Sequence, residues 1–120
     1  MTTGYGFEIV VRDIAAGEEL TDDYGYLNLE QPFEVFPEKG TKRTTILPDD
    51  LVRFHPEWDR QLEKAFRYLT HVEQPLAQLL DSDMWETVVA VAEGREDMLS
   101  ILNCYYAGGN GQLANRLARD

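Results

Sequence analysis

The change of hydrophobic pattern near residue 47 constrains the fold of this chain more than any other feature. Before it, residues 7–12 (FEIVVR) are rich in β-branched and aromatic side chains, which is typical of a β-strand. After it, apolar side chains recur at helical spacing and form one stripe: Trp58, Leu62, Ala65, Phe66 and Leu69. The 120 residues are enough for one modest domain and too few for two. We therefore predict an α+β protein in which a small β unit precedes a mainly α-helical region.

Three segments follow from this pattern. Residues 1–34 form the β-type portion. Residues 35–47 contain Pro37, Gly40 and three basic side chains without helical periodicity, so we predict a loop or linker, with a short strand at residues 44–47 as the alternative. Residues 48–120 form the helical region.

Start and stop signals divide the helical region. Pro48 and the acids after it begin a first, short helix. A new segment is expected at residues 76–80. Asp83 is followed by a glutamate at capping-box spacing and begins another helix, which Gly94 ends. A last helix is predicted from about residue 96 to residue 106.

The charge balance limits the possible partners. The chain has 22 Asp and Glu against 11 Lys and Arg, a formal net charge of −11. Such a chain repels a phosphate backbone, so we expect no binding to nucleic acid. The charge favours a basic partner, although it equally serves solubility alone.

Cysteine content and hydropathy narrow the class further. The single cysteine, Cys104, leaves no internal disulfide and no Cys-rich zinc site, and we expect it to be a small core residue; no metal site is predicted. No apolar run approaches the roughly 20 residues of a membrane-crossing helix. The first residues also lack the features of a signal peptide. The expected location is therefore cytoplasmic, without membrane binding.

The segment with most chemical content is residues 12–26 (RDIAAGEELTDDYGY). Tyr24 and Tyr26 flank Gly25, which allows the backbone to approach another surface closely. If both rings face a cleft, they form an aromatic slot with hydroxyl groups at its end, which suits a cationic or amine-bearing chain. Core or sheet positions are the alternative for both rings. Four acids precede them and either steer a basic substrate or form a solvated turn: Glu18, Glu19, Asp22 and Asp23.

This run resembles the C-terminal signature of SET-domain protein-lysine methyltransferases. The preceding GYGFEIVV is similar to the strand that comes before that signature, and the resemblance covers about residues 4–28. It implies that Tyr24 is the catalytic tyrosine and that Tyr26 lines the lysine channel. The implied reaction transfers a methyl group from S-adenosylmethionine to a lysine ε-amine. The implied partner is a protein substrate with a basic or lysine-bearing segment.

The sequence also departs from the family. SET domains bind the cofactor through a Gly-rich region and an Asn-His motif ahead of the signature, and no Asn-His pair occurs here. The two histidines, His55 and His71, lie downstream in helical territory, where surface or capping roles are expected. We therefore expect a truncated chain that lacks the N-terminal SET portion and has little activity alone. Its cofactor-binding residues cannot be assigned.

The stretch after the tyrosines differs from the family as well. It has no cysteine, which excludes the zinc-bound Cys-rich post-SET lid of many members and fits a bacterial-type protein. The helices from residue 48 onward are then expected to close the channel, with Phe33, Phe36 or Trp58 as candidate walls; ordinary core aromatics are the alternative. Two other interpretations stay open for the chain, a non-catalytic protein-interaction module and a relic fragment.

Overall fold

A computed structural model describes residues 1–21, 23–27, 29–37 and 42–104. These residues form two α-helices, α1 (Asp50–Tyr68) and α2 (Ser82–Ala92). They also form a two-stranded antiparallel sheet of β1 (Phe33–Glu34) and β2 (Thr45–Ile46). Phe33 pairs with Ile46 and Glu34 with Thr45. The predicted α+β class is confirmed, and the short strand expected at residues 44–47 is β2.

Helix α1 follows the apolar stripe. Leu62 and Phe66 are fully buried, as the helical spacing predicts. The helix continues through Pro56, which has no N–H to offer the carbonyl of Val52 four residues earlier. The Nδ1 atom of His55 lies 2.8 Å from that carbonyl oxygen and donates to it in the matching tautomer. A neighbouring side chain thus replaces the backbone hydrogen bond that proline removes.

The N-cap of helix α2 lies two residues before the predicted cap. The Asp81 carboxylate accepts hydrogen bonds from the backbone N–H of Asp83 (2.8 Å) and Met84 (3.4 Å), so Asp81 is the N-cap. The capping box predicted at Asp83 is therefore wrong, because Asp83 already lies in the first turn of α2. The helix ends at Ala92, two residues before Gly94, as predicted.

Two apolar clusters hold the elements together. The first lies between α1 and α2 and contains Phe66, Leu69, Val88 and Val91. The second lies between α1 and a 3-10 helix, Ile101–Cys104, and contains Leu51, Leu62 and Ile101. Helix α1 belongs to both clusters and is therefore the central element of the described fold.

The strand predicted at residues 7–12 is wrong. This segment, described throughout, takes part in one isolated β-bridge, between Glu8 and Thr2. Its burial nevertheless alternates: Phe7, Ile9 and Val11 are half-buried, whereas the side chains between them are exposed. Phe7 and Ile9 pack on the cluster of Phe66, so the period-2 pattern is satisfied by helices rather than by a neighbouring strand.

The helix predicted at residues 96–106 is also wrong over the part that is described. Residues 97–100 are not helical, and the only helical stretch there is Ile101–Cys104. The backbone N–H of Leu99 donates to the Tyr5 hydroxyl (3.0 Å) and that of Ile101 to the Asp59 carboxylate (2.8 Å). Side chains from elsewhere in the chain take these donors, which an α-helix would direct to carbonyls four residues earlier. Residues 105 and 106 lie outside the described residues.

The short segment expected at residues 76–80 is a 3-10 helix, Ala77–Leu79. Leu76 and Leu79 are exposed there. This segment connects the end of α1 to α2 and adds no buried residue to the core.

Candidate functional site

The tyrosine segment forms a 3-10 helix, Tyr24–Tyr26, packed against the start of α1. Gly25 is buried at the contact, and its N–H donates to the Asp23 carboxylate (2.7 Å). A Cβ added to Gly25 would lie 2.6 Å from Arg43 Nη2 and 2.8 Å from the Trp58 ring. The close approach that the sequence predicted for this glycine is therefore confirmed.

Tyr26 is half-buried on the wall of an open cleft of about 670 Å³. Its ring packs against the cluster of Leu51, Leu62 and Ile101. Three further aromatic residues line the same cleft, and these are the side chains that the sequence named as candidate walls: Phe33, Phe36 and Trp58. The side chain of Tyr24, the other tyrosine named from the sequence, lies outside the described part of the structure.

Arg43 is the charged residue that joins the tyrosine segment to α1. Its Nη1 lies 2.6 Å from a carboxylate oxygen of Asp23, and its Nη2 lies 2.5 Å from one of Asp50. The Asp50 residue is only 1% exposed and also accepts the N–H of Leu47 (3.0 Å). The guanidinium carbon sits 5.4 Å from the centre of the Phe54 ring, a cation–π contact.

The electrostatics keep this arginine charged. Desolvation by burial lowers the pKa of Arg43, but the hydrogen bonds to Asp50 and Asp23 outweigh it, and the net shift is upward. The Asp23 carboxylate accepts one hydrogen bond from Arg43 and another from the N–H of Gly25. Through Arg43, Asp23 connects the tyrosine segment to Asp50 in the first turn of α1.

Glu18, another of the four acids before the tyrosines, has a cationic partner too. It pairs with Arg12 and accepts the N–H of Ala15 (3.0 Å). The hydrogen bond from Arg12 is the main reason that the pKa of Glu18 is lowered. Glu19 is exposed, and Asp22 lies outside the described residues. Two of the three described acids therefore bind arginines of this chain.

The remaining sequence candidates lie apart from the cleft. His71 makes an edge contact with the Tyr68 ring, 5.8 Å between centroids. Cys104 is half-buried, with its sulfur 3.6 Å from the Thr3 carbonyl oxygen. Within the described ranges, no group of three or more His, Cys, Asp or Glu side chains could hold a metal ion.

Comparison with known proteins gives no relative. No family profile, curated protein or solved structure matches this chain. Among the described residues, no helix combines the length and apolar character that crossing a membrane requires.

The cleft does not match the needs of S-adenosylmethionine. The residues that line it include two arginines, Arg12 and Arg43, and one acid, Asp23, with its side-chain carboxylate. That carboxylate already binds Arg43 and is not available for the ammonium group of the cofactor. The described residues therefore do not form a cofactor site by themselves.

Sequence reasoning missed Arg43 and Asp50. Arg43 stood in a basic linker and Asp50 in the first turn of a helix, both ordinary places for charge. The signal that could have singled them out is weak: a basic residue seven positions before a helix-start acid, and an acid, Asp23, two positions before a glycine. Only the tertiary structure brings the three together.

Proposed function

We propose that this chain is the tyrosine-bearing C-terminal part of a SET-domain protein-lysine methyltransferase. In this proposal the cleft beside Tyr26 receives the lysine side chain of a protein substrate. The observation that carries it is the convergence of the motif tyrosine Tyr26 with Phe33, Phe36 and Trp58 on one cleft. The run RDIAAGEELTDDYGY supports it independently of the geometry.

The dimensions and walls of the cleft suit the side chain of a lysine. Its volume of about 670 Å³ lies within the range of roughly 300–1,000 Å³ that is common for ligand sites. Aromatic faces suit the aliphatic stem of a lysine and attract its cationic head. Burial in apolar surroundings lowers the pKa of a lysine amine, and only the uncharged amine can attack a methyl group.

Each tyrosine has a distinct role in the proposal. Tyr26 forms a wall of the slot. Tyr24 is the catalytic residue by resemblance, with its hydroxyl at the amine end of the slot. S-adenosylmethionine supplies the methyl group when bound, and the groups that hold it come from residues outside these 120. The isolated chain therefore binds a lysine-bearing segment without methylating it.

The direct test is calorimetry with two peptides. One carries a central lysine between glycines, and the other carries norleucine, which has the same stem without the amine. We expect the lysine peptide to bind more tightly, and Tyr26→Ala to weaken it by about tenfold through loss of a wall worth roughly 1–2 kcal/mol. Equal affinity for both peptides, or no effect of Tyr26→Ala, would rule out the lysine slot.

Titration with S-adenosylmethionine tests the second part of the proposal. We expect no saturable binding by the 120-residue chain. Saturable binding would show that these residues hold the cofactor after all, and the division of the domain proposed here would then be wrong.

A protein-interaction module is the second candidate. Leu20 (76% exposed) and Phe36 (95% exposed) stand at the cleft and present apolar surface to solvent, as docking surfaces do. This candidate predicts that an apolar peptide binds irrespective of lysine. The norleucine peptide therefore separates the two functions.

A further inference from the structure

Arg43 connects parts of the chain that are distant in sequence. Asp23 lies 20 positions before it, immediately ahead of the Tyr24–Tyr26 turn, and Asp50 lies seven positions after it, in the first turn of α1. Each carboxylate takes a different terminal nitrogen of the guanidinium group. A planar guanidinium can hold two acceptors at once in a fixed geometry, which an ammonium group on a flexible stem does not.

The Asp50 end of this arrangement is firmly anchored. Asp50 is almost completely buried, and its carboxylate also accepts the backbone N–H of Leu47. A buried carboxylate without its cation is strongly unfavourable, so Arg43 is held at this end. The buried Asp50 carboxylate thus fixes the guanidinium group on the side of α1.

The other end determines where the turn lies. Asp23 binds Arg43 with one oxygen and the N–H of Gly25 with the other. Gly25 lies so close to Arg43 and Trp58 that an added Cβ would clash with both. Tyr26 is the next residue, and it lines the same cleft as Arg43 and Trp58.

We propose that Arg43 is a positioning residue: by bridging Asp50 and Asp23 it seats the Tyr24–Tyr26 turn on α1 and sets the distance of Tyr26 from Trp58 across the cleft. The consequence for lysine binding rests on the proposed function, whereas the seating of the turn does not. The proposed role of Arg43 involves no contact with the lysine stem or with its amine.

The test uses the Trp85→Phe background, which leaves Trp58 as the remaining one of two tryptophans. Trp58 lies against Gly25 and reports the position of the turn. In Arg43→Met we expect a red-shifted Trp58 emission and stronger acrylamide quenching, with the helical circular dichroism retained. The Kd for the lysine peptide should rise roughly three- to thirtyfold, the range for residues that act through a packed network.

Two matched variants accompany it. Arg53→Met removes an exposed arginine that pairs with Asp49, next to Asp50, and should change neither readout. Arg43→Lys keeps the charge but holds one carboxylate at a time, so it should restore part of the emission and part of the affinity.

The outcomes separate the two proposals. If the parent protein does not bind the lysine peptide, the proposed lysine-binding function is wrong. The emission and quenching of Trp58 then test by themselves whether Arg43 positions the turn. If Arg43→Met loses its helical signal, Asp23→Asn replaces it, because asparagine still accepts from Gly25 N–H while losing the charge that faces Arg43. Unchanged Trp58 emission and quenching in the folded variant, or an unchanged Kd in a parent that binds, would overturn the proposal.

Discussion

Gly25 shows at the scale of one residue how local chemistry and packing combine. The sequence indicated that a glycine between two tyrosines allows close approach, and the structure places Arg43 and Trp58 within that space. The sequence could not name the neighbours, because both are separated from Gly25 by long stretches of chain. The sequence around position 25 indicated that a small residue is needed there. The groups that make it necessary, Arg43 and Trp58, are brought close only by the tertiary structure.

Gly25→Ala should destabilise the protein by about 1–3 kcal/mol, as expected for overpacking against groups held in place. Arg43 cannot move aside freely, since Asp50 and Asp23 bind it. Urea denaturation measures the loss. Gly17→Ala is the control for backbone strain: its Cβ meets nothing within 4 Å, and its φ of +84° by itself costs about 1–2 kcal/mol. A Gly25→Ala protein as stable as the parent would contradict the packing described here.

At the scale of elements, helix α1 follows the rule for amphipathic periodicity and breaks the rule for proline. The apolar stripe predicted the buried face, including Leu62 and Phe66. Pro56 would ordinarily argue for a break, yet α1 runs through it. The His55 side chain satisfies the Val52 carbonyl, and burial of the stripe on two sides supports both halves of the helix.

His55→Ala should therefore lower the free energy of unfolding by about 0.5–1.5 kcal/mol, the usual value of one hydrogen bond. Thermal and urea denaturation measure this. His71→Ala is the matched control, because His71 has a ring contact with Tyr68 instead of a contact with a helix carbonyl. If the two variants lose the same stability, His55 has no special role beside Pro56.

The turn at residues 15–18 gives a pH-dependent prediction. Its Glu18 carboxylate is held by Arg12 and by the N–H of Ala15, which lower its pKa. A lowered pKa means that the ion pair stabilises the turn above the ordinary pKa of glutamate and is lost as the pH falls through the lowered value. NMR titration of the Glu18 side chain should show the lowered pKa, and Arg12→Gln should raise it. A Glu18 that titrates at its ordinary value in the parent would show that the pair does not form in solution.

The strands illustrate what pattern alone cannot decide. The alternation over residues 7–12 is real, and Phe7 and Ile9 do face the core. A period of two identifies an extended segment with one buried side, but it does not say whether a strand or a helix covers that side. Here α1 and α2 cover it, so the hydrogen-bonded strands are found at residues 33–34 and 45–46 instead.

At the scale of the whole molecule, the proposed methyl transfer requires bound S-adenosylmethionine. In a polypeptide with the complete domain, Tyr24→Phe should reduce methyl transfer on the order of 10²-fold or more, the effect expected from a positioned hydroxyl in the transition state. Binding of S-adenosylmethionine should be unchanged. Transfer of a labelled methyl group to a lysine substrate measures the first, and calorimetry the second.

Tyr26→Phe is the control for that experiment. It keeps the ring that forms the wall of the slot and removes only the hydroxyl, so its effect on turnover should be much smaller. Equal turnover in Tyr24→Phe and the parent would remove Tyr24 from the catalytic role.

The sequence by itself determined the α+β class, the face that α1 buries and the end of α2. These features depend on neighbours within a few positions, where helical periodicity and backbone sterics act. Only the tertiary structure decided that residues 7–12 pack on helices, that residues 97–100 are not helical, and that Arg43 joins Asp23 to Asp50. Those outcomes depend on which residues distant in the sequence provide hydrogen bonds and apolar surface, and local sequence patterns do not predict such contacts.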